Sequence, residues 1–174
     1  MRVAALFLLA LCAISCAPKP QAALVRPSPP PAAPHAIAPP LLPADWREWP
    51  QTPGTWRYTA DARGSVAMFG RVGSDAVAVL RCDRRGGRLF LSVAGSEPAT
   101  LTVRTSSVTR TLPVGATDGM PPYLAATLTP ADPLLDAMAF SRGRFVLSLA
   151  EARGGPLVLP AWAEVGRVVE DCRA

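Results

Sequence analysis

The four cysteines are the residues of this sequence with the widest choice of chemistry. Cys12 and Cys16 lie in an apolar N-terminal segment, whereas Cys82 and Cys172 lie far downstream of it. A redox pair usually has the spacing C-x-x-C, and a metal site needs more ligands than two thiols supply. We therefore predict a structural disulfide between Cys82 and Cys172. In the chain-entropy account, closing the long loop between these two cysteines stabilises the folded protein by about 4–5 kcal/mol.

Several residue types on which catalysis depends are missing from the C-terminal part of the chain. His35 is the only histidine, Lys19 is the only lysine, and the sequence has no asparagine. Beyond His35, a Ser-His-Asp or Cys-His site, a Ser-Lys dyad and a Schiff base therefore cannot be assembled. Histidine-ligated zinc, copper and non-haem iron are excluded for the same reason. We expect no catalytic residues, no metal and no cofactor.

Carboxylates remain available for hydrolysis, as paired acids are in glycosidases and aspartic enzymes. The candidate pairs are Asp132 with Asp136, and Glu164 with Glu170 and Asp171. Their positions at the ends of two predicted helices favour capping and solvated surface charge instead. A carboxylate-based hydrolase is therefore the third hypothesis for function.

Four aromatic residues are the one positive indication of binding: Trp46, Trp49, Trp56 and Tyr58. They lie close together in the sequence, and a surface patch of this composition suits a glycan or a protein partner. The alternative is that this tryptophan-rich segment folds back and covers an open end of a sheet. A ligand-binding module that uses these residues is the second hypothesis for function.

Residues 1–16 have the order of a secretory signal, which is basic, then apolar, then small. Arg2 precedes an uninterrupted run of apolar and small residues from Val3 to Ile14. A membrane-spanning helix needs about 20 apolar residues, so this run is too short for a permanent anchor. The segment is predicted to be removed on export.

The end of this segment, Ala13-Ile14-Ser15-Cys16, resembles the lipobox of bacterial lipoproteins, in which small residues precede a cysteine that is acylated and becomes the new N-terminus. The resemblance implies a lipid anchor on Cys16. Since Ala17 stands where an aspartate would retain such proteins at the inner membrane, it also implies outer-membrane sorting. The usual pattern has leucine where this chain has Ala13, and ordinary cleavage at the same bond, giving a soluble secreted protein, is the alternative. A further alternative is that the apolar segment is not cleaved and remains as an anchor.

Residues 17–44 form a segment of very different composition, because they hold 10 of the 20 prolines and are otherwise rich in alanine. The segment has no periodic apolar face, and proline removes backbone donors, so the sequence predicts a disordered linker with extended polyproline II character. Fully extended, it would reach about 80 Å. Residues 45–174 have the size of one compact domain.

Net charge does not point to nucleic acid as a partner. The whole chain has a formal charge of +5, but beyond residue 44 there are 15 arginines, no lysine and 13 acidic residues, which gives +2. These charges are spread along the chain without a basic cluster among aromatics. The run Arg84-Arg85-Gly86-Gly87 is interpreted as a solvated hairpin turn.

Alternating residues predict most of the domain as short antiparallel strands separated by turns. These strands cover residues 65–69, 76–82, 88–93, 101–105, 108–112, 123–128, 144–149 and 157–159. We expect a mainly β fold, either an antiparallel sandwich or a rolled sheet, with two short helices near the C-terminus.

The two helices are predicted from different signals. For the first, Asp132 suits the N-cap, Pro133 suits the first helical position, and Gly143 suits a left-handed residue near the C-terminus. For the second, apolar residues recur at helical spacing on one face of residues 162–172. These are Val165, Val168, Val169 and Cys172.

The order of strands, helix, two strands and helix resembles that of small exported proteins of Gram-negative bacteria. It is similar to the invasion-associated locus B family, periplasmic β-sandwich proteins with a Gly-x-Trp motif, which here would be Gly54-Thr55-Trp56. The cysteine and glutamine pattern that follows the tryptophan in that family is absent, so no functional residue is carried over. We expect an exported, lipid-anchored envelope protein with a structural or protein-interaction role.

Overall fold

The computed structural model describes residues 42–97, 99–150 and 154–174. The predicted signal segment, the lipid acceptor Cys16 and the linker up to residue 41 lie outside the described residues. A short 3-10 helix at Trp46–Glu48 precedes ten strands and two α-helices. In chain order these are β1 (Thr55–Asp61), β2 (Gly64–Gly70), β3 (Ala78–Asp83), β4 (Arg88–Ala94), β5 (Thr100–Arg104), β6 (Thr109–Pro113), β7 (Gly115–Ala116), β8 (Tyr123–Leu128), α1 (Pro133–Ala139), β9 (Arg144–Leu149), β10 (Leu157–Pro160) and α2 (Ala163–Arg173).

The strands form two antiparallel sheets that do not close into a barrel. The first sheet has the order β1-β2-β3-β4-β8-β7, and the second has the order β10-β9-β5-β6. Strands account for 43% of the structure and helices for 16%. This confirms the prediction of a mainly β, sandwich-like fold with two helices late in the chain.

One hydrophobic core contains the inner face of each sheet together with both helices. Alternation places Leu80 and Cys82 of β3 in this core, and it does the same for Leu101 and Val103 of β5. Full burial of a leucine or valine side chain contributes about 1.5–3 kcal/mol to folding. The alternating pattern is therefore a direct consequence of sheets that each bury one face.

Helix α1 begins as its sequence predicts. The side chain of Asp132 accepts a hydrogen bond of 2.9 Å from the backbone N–H of Leu134, and Pro133 occupies the first turn. Gly143 does have a left-handed backbone, with φ of 76°. However, the helix ends at Ala139, so this conformation serves the turn into β9 and does not cap the helix.

Helix α2 packs through the predicted apolar stripe. Val165, Val168 and Val169 are buried in the core, and Cys172 packs against it at the end of the same face. The Sγ atom of Cys172 is bonded to that of Cys82 on β3, which confirms the predicted disulfide. Their Cα atoms are 5.4 Å apart, within the usual range for such a bond.

Candidate functional site

The four aromatic residues that were the sequence candidates for binding do not form one surface. Trp56 is 5% exposed and lies in the core, with its ring centroid 5.2 Å from that of Phe69 and 6.5 Å from that of Phe145. Its indole N–H donates a hydrogen bond of 2.8 Å to the carbonyl of Pro160. The structure thus gives Trp56 a packing position that joins the two sheets.

Trp46 and Trp49 lie instead on the outer face of the second sheet. Trp46 is buried against Val146 of β9 and Val158 of β10, in a small cluster separate from the main core, and Trp49 packs beside it. The indole N–H of Trp49 donates a hydrogen bond of 2.7 Å to the carbonyl of Pro43. These two tryptophans therefore cover a sheet face, whereas the folding-back alternative considered from the sequence placed them over a sheet end.

Tyr58 belongs to a third environment, between β1 and α2. Its hydroxyl donates a hydrogen bond of 2.6 Å to Oδ2 of Asp171, and the guanidinium of Arg167 lies 4.1 Å from the centre of its ring. The hydrogen bond to Asp171 is the main reason that the pKa of Tyr58 is raised above its ordinary value. The buried hydroxyl of Ser65 is nearby on β2 and lacks a hydrogen-bond partner among the described residues.

The two acids of the first candidate pair, Asp132 and Asp136, bind different arginines. Asp132 forms an ion pair of 2.7 Å with Arg110, and the hydrogen bond from Arg110 is the main reason that the pKa of Asp132 is lowered. Asp136 instead accepts two hydrogen bonds, of 2.7 and 3.1 Å, from the guanidinium of Arg173. The two acids thus form no shared site with each other, and the geometry offers no support for a carboxylate-based hydrolase at this position.

A polar groove of about 320 Å³ lies beside Trp46. It is lined by Trp46, Arg47, Arg104, residues 105–108, which form the turn between β5 and β6, and Thr109 at the start of β6. The guanidinium of Arg47 lies 4.9 Å from the centre of the Trp46 ring. Hydroxyl groups, a guanidinium and an indole together suit a polar or anionic ligand.

Hydrogen bonds between loops fix the far wall of this groove. The backbone N–H of Ser106 donates to Oγ of Ser141 at 2.9 Å, and the N–H of Arg142 donates to Oγ of Ser106 at 3.1 Å. Arg104 and the turn residues were not sequence candidates. In the sequence, these residues were recognisable only as a turn with two serines between two strands. Such a turn does not indicate that it lies beside Trp46 in the fold.

Among the described residues, no helix is long and apolar enough to cross a membrane. The same residues contain no group of three or more histidine, cysteine, aspartate or glutamate side chains placed to share a metal ion. Comparison of the chain with protein-family models, curated proteins and solved structures finds no match.

Proposed function

We propose that this chain is an exported envelope protein, anchored to the outer membrane by a lipid on Cys16, whose β-rich domain has a structural or protein-interaction role. The observation that carries the export part of this proposal is the disulfide between Cys82 and Cys172. Disulfides persist in oxidising compartments such as the periplasm and are rare in the cytosol. This argument is independent of the signal segment, so two separate features of the chain favour the same compartment.

The lipid part of the proposal rests on the four residues that resemble a lipobox, and metabolic labelling with a palmitate analogue tests it. The wild-type protein should incorporate the label, and Cys16→Ser should not. Cys12→Ser is the matched control, because it removes a cysteine from the same segment and should leave the label in place. Absence of label from the wild type, or unchanged label on Cys16→Ser, contradicts the proposal.

The interaction role is tested by crosslinking in intact cells followed by purification of the protein. A structural or interaction partner should be recovered as one or more envelope proteins that are absent when the chain lacks residues 42–174. Recovery of the same proteins with the signal segment and linker alone would show that the domain does not make the interaction.

A ligand-binding role is the second candidate, and the groove beside Trp46 favours it. Because Trp46 is buried against the second sheet, its replacement tests stability rather than binding. Arg104→Ala and Ser107→Ala change the lining of the groove without removing a core residue. If the groove binds a ligand, these variants should lose binding while their melting temperatures remain close to that of the wild type.

A further inference from the structure

Three separate segments of the sequence contribute five exposed arginines to one region of the domain, and we name them the arginine cluster: Arg63, Arg84, Arg85, Arg88 and Arg167. We propose that the arginine cluster binds the phosphate groups of an anionic phospholipid surface. This inference goes beyond the lipid anchor, because it assigns a second, electrostatic contact with the membrane to the folded domain itself.

The first step is that two hairpin turns meet at one end of the first sheet. Arg63 lies in the turn between β1 and β2, and Arg84 lies in the turn between β3 and β4. The backbone N–H of Arg84 donates a hydrogen bond of 2.9 Å to the carbonyl of Arg63, which fixes the two turns side by side. Residues 84–88, in this turn and at the start of β4, are all exposed, so the three arginine side chains among them are open to solvent.

Close packing at Gly64 supports this arrangement. Its φ of 147° is a conformation that other residues rarely adopt, and a Cβ atom there would lie 2.5 Å from the carbonyl oxygen of Cys82. Glycine therefore allows the β1–β2 turn to approach β3. The turns that carry the arginines are thus part of a fixed framework.

Helix α2 carries the fifth arginine, Arg167, and the C-terminal end of this helix lies at the same end of the sheet. The Sγ atom of Cys172 lies 3.5 Å from the carbonyl of Arg88, so this part of the helix is next to the β3–β4 turn. The pKa of Asp171 is lowered first by the hydrogen bond from Tyr58, and further by the positive charges of Arg167 and Arg84. Both arginines therefore lie close enough to Asp171 to act on it.

Most guanidinium groups of the cluster are not held in close ion pairs, although Asp171 lies near two of them. Among the described residues, only Arg63 has an ion-pair partner, Asp83, at the long distance of 3.9 Å. That carboxylate also accepts a hydrogen bond from the backbone of Gly86. Asp61, at the end of β1, accepts from two backbone N–H groups and pairs with Arg81. These acids hold the turns in place. The guanidinium of Arg167 lies over the ring of Tyr58, whereas those of Arg84, Arg85 and Arg88 have no ion pair among the described residues and are available for an external partner.

The chemistry of arginine selects phosphate as the ligand. Its planar guanidinium donates two parallel hydrogen bonds to phosphate oxygens and is less strongly hydrated than an ammonium group. A projecting surface with several such groups suits an extended anionic plane, whereas a strand of nucleic acid is usually held in a groove with aromatic side chains.

Vesicle binding by the chain from residue 17 to residue 174, prepared without a lipid, tests this proposal separately from the proposed function. The protein should bind vesicles that contain phosphatidylglycerol at least roughly tenfold more tightly than vesicles of phosphatidylcholine alone, and added salt should weaken this binding. Acylation of Cys16 plays no part in this measurement. If the protein does not bind anionic vesicles, the proposed lipid anchor is unaffected. If the protein is not labelled with palmitate, the proposed vesicle binding is unaffected.

Matched variants locate the contact. Arg84→Ala with Arg85→Ala should weaken binding to phosphatidylglycerol by roughly tenfold or more. Arg71→Ala with Arg142→Ala removes the same charge from two exposed arginines outside the cluster and should weaken it less than roughly threefold. Arg84→Lys with Arg85→Lys retains the charge but loses the two parallel hydrogen bonds, so its binding should fall between that of the wild type and that of the alanine pair, which also guards against a loss of folding.

Three results would overturn the proposal. One is equal binding to the two kinds of vesicle, and another is an equal loss of binding in both alanine pairs. The third is binding to double-stranded DNA without binding to phosphatidylglycerol vesicles, because this would assign the cluster to a soluble polyanion.

Discussion

The hydroxyl of Tyr58 donates a hydrogen bond of 2.6 Å to Asp171 and so connects the first strand of the fold to its last helix. The disulfide between Cys82 and Cys172 is at the next position along that helix. A polar contact and a covalent bond at adjacent residues therefore hold the end of α2 on the first sheet. Arg173, at the end of the same helix, also donates two hydrogen bonds to Asp136 of α1.

Removal of the disulfide should destabilise the domain strongly. We expect Cys82→Ala with Cys172→Ala to lower the free energy of unfolding by about 2–5 kcal/mol, since the unfolded chain regains the freedom of a long loop. Urea unfolding measures this change. A reducing agent should lower the midpoint of the wild type and leave that of the double variant unchanged, and a double variant as stable as the oxidised wild type would show that the bond is dispensable.

Acid should weaken the contact between Tyr58 and Asp171. The pKa of Asp171 is lowered in the folded state, chiefly by the hydrogen bond from Tyr58. The unfolded chain therefore binds the proton more readily, and the stabilisation is present above the unfolded pKa of about 3.9 and is lost as the pH falls through the lower folded value. Stability should thus decrease more steeply below about pH 4 in the wild type than in Asp171→Asn.

The control for this pH dependence is Asp118→Asn, which changes an exposed carboxylate elsewhere on the molecule. Urea unfolding at a series of pH values should give parallel curves for this variant and the wild type. If the curve of Asp171→Asn is parallel to them as well, the contact does not contribute to acid sensitivity.

The tryptophans should differ in their effect on stability because their environments differ. Trp56→Ala leaves a cavity in the core and removes a hydrogen bond to Pro160, so we expect a loss of about 3–5 kcal/mol. Trp49 is only partly buried and packs on an outer sheet face, so Trp49→Ala should cost about 1–2 kcal/mol. Chemical unfolding compares them, and an equal loss in the two variants would contradict the assigned positions.

Local patterns explain why the strands and helices were predictable from the sequence. Leu80 and Cys82 alternate with partly exposed residues because β3 buries one face, and Val165, Val168 and Val169 recur at helical spacing because α2 buries one stripe. Such patterns show that a residue is buried, but they do not show which residues it packs against. Two strands were not predicted: β7, which is too short to have a period, and β1, whose exposed and buried residues do not alternate.

Asp132 has two roles, as the N-cap of α1 and as the ion-pair partner of Arg110, and two substitutions separate them. Asp132→Ala removes both the hydrogen bond to the backbone of Leu134 and the ion pair with Arg110, and it should cost about 1–2 kcal/mol. Asp132→Asn keeps an oxygen that can cap the helix and loses only the charge, so it should cost less than about 1 kcal/mol. Thermal and urea unfolding would measure both, and a loss in Asp132→Asn as large as that in Asp132→Ala would assign the effect to the ion pair.

The candidate surfaces were less predictable than the fold, because they depend on contacts between distant segments. Arg63, Arg84 and Arg167 are separated by many residues, and only the meeting of two hairpin turns with the end of α2 places them together. In the same way, Trp46 and Trp56 are close in sequence, but Trp46 packs on the outer face of the second sheet, whereas Trp56 of β1 lies in the core against its inner face. Proximity along the chain therefore suggested one aromatic patch where the structure has three environments.

The most direct test of the proposed function is the mass of the N-terminal peptide of the protein isolated from membranes. The proposal predicts that the mature chain begins at Cys16 and that this residue carries covalently bound lipid. A mature chain that begins at an unmodified Cys16, or one that retains residues 1–15, would contradict it.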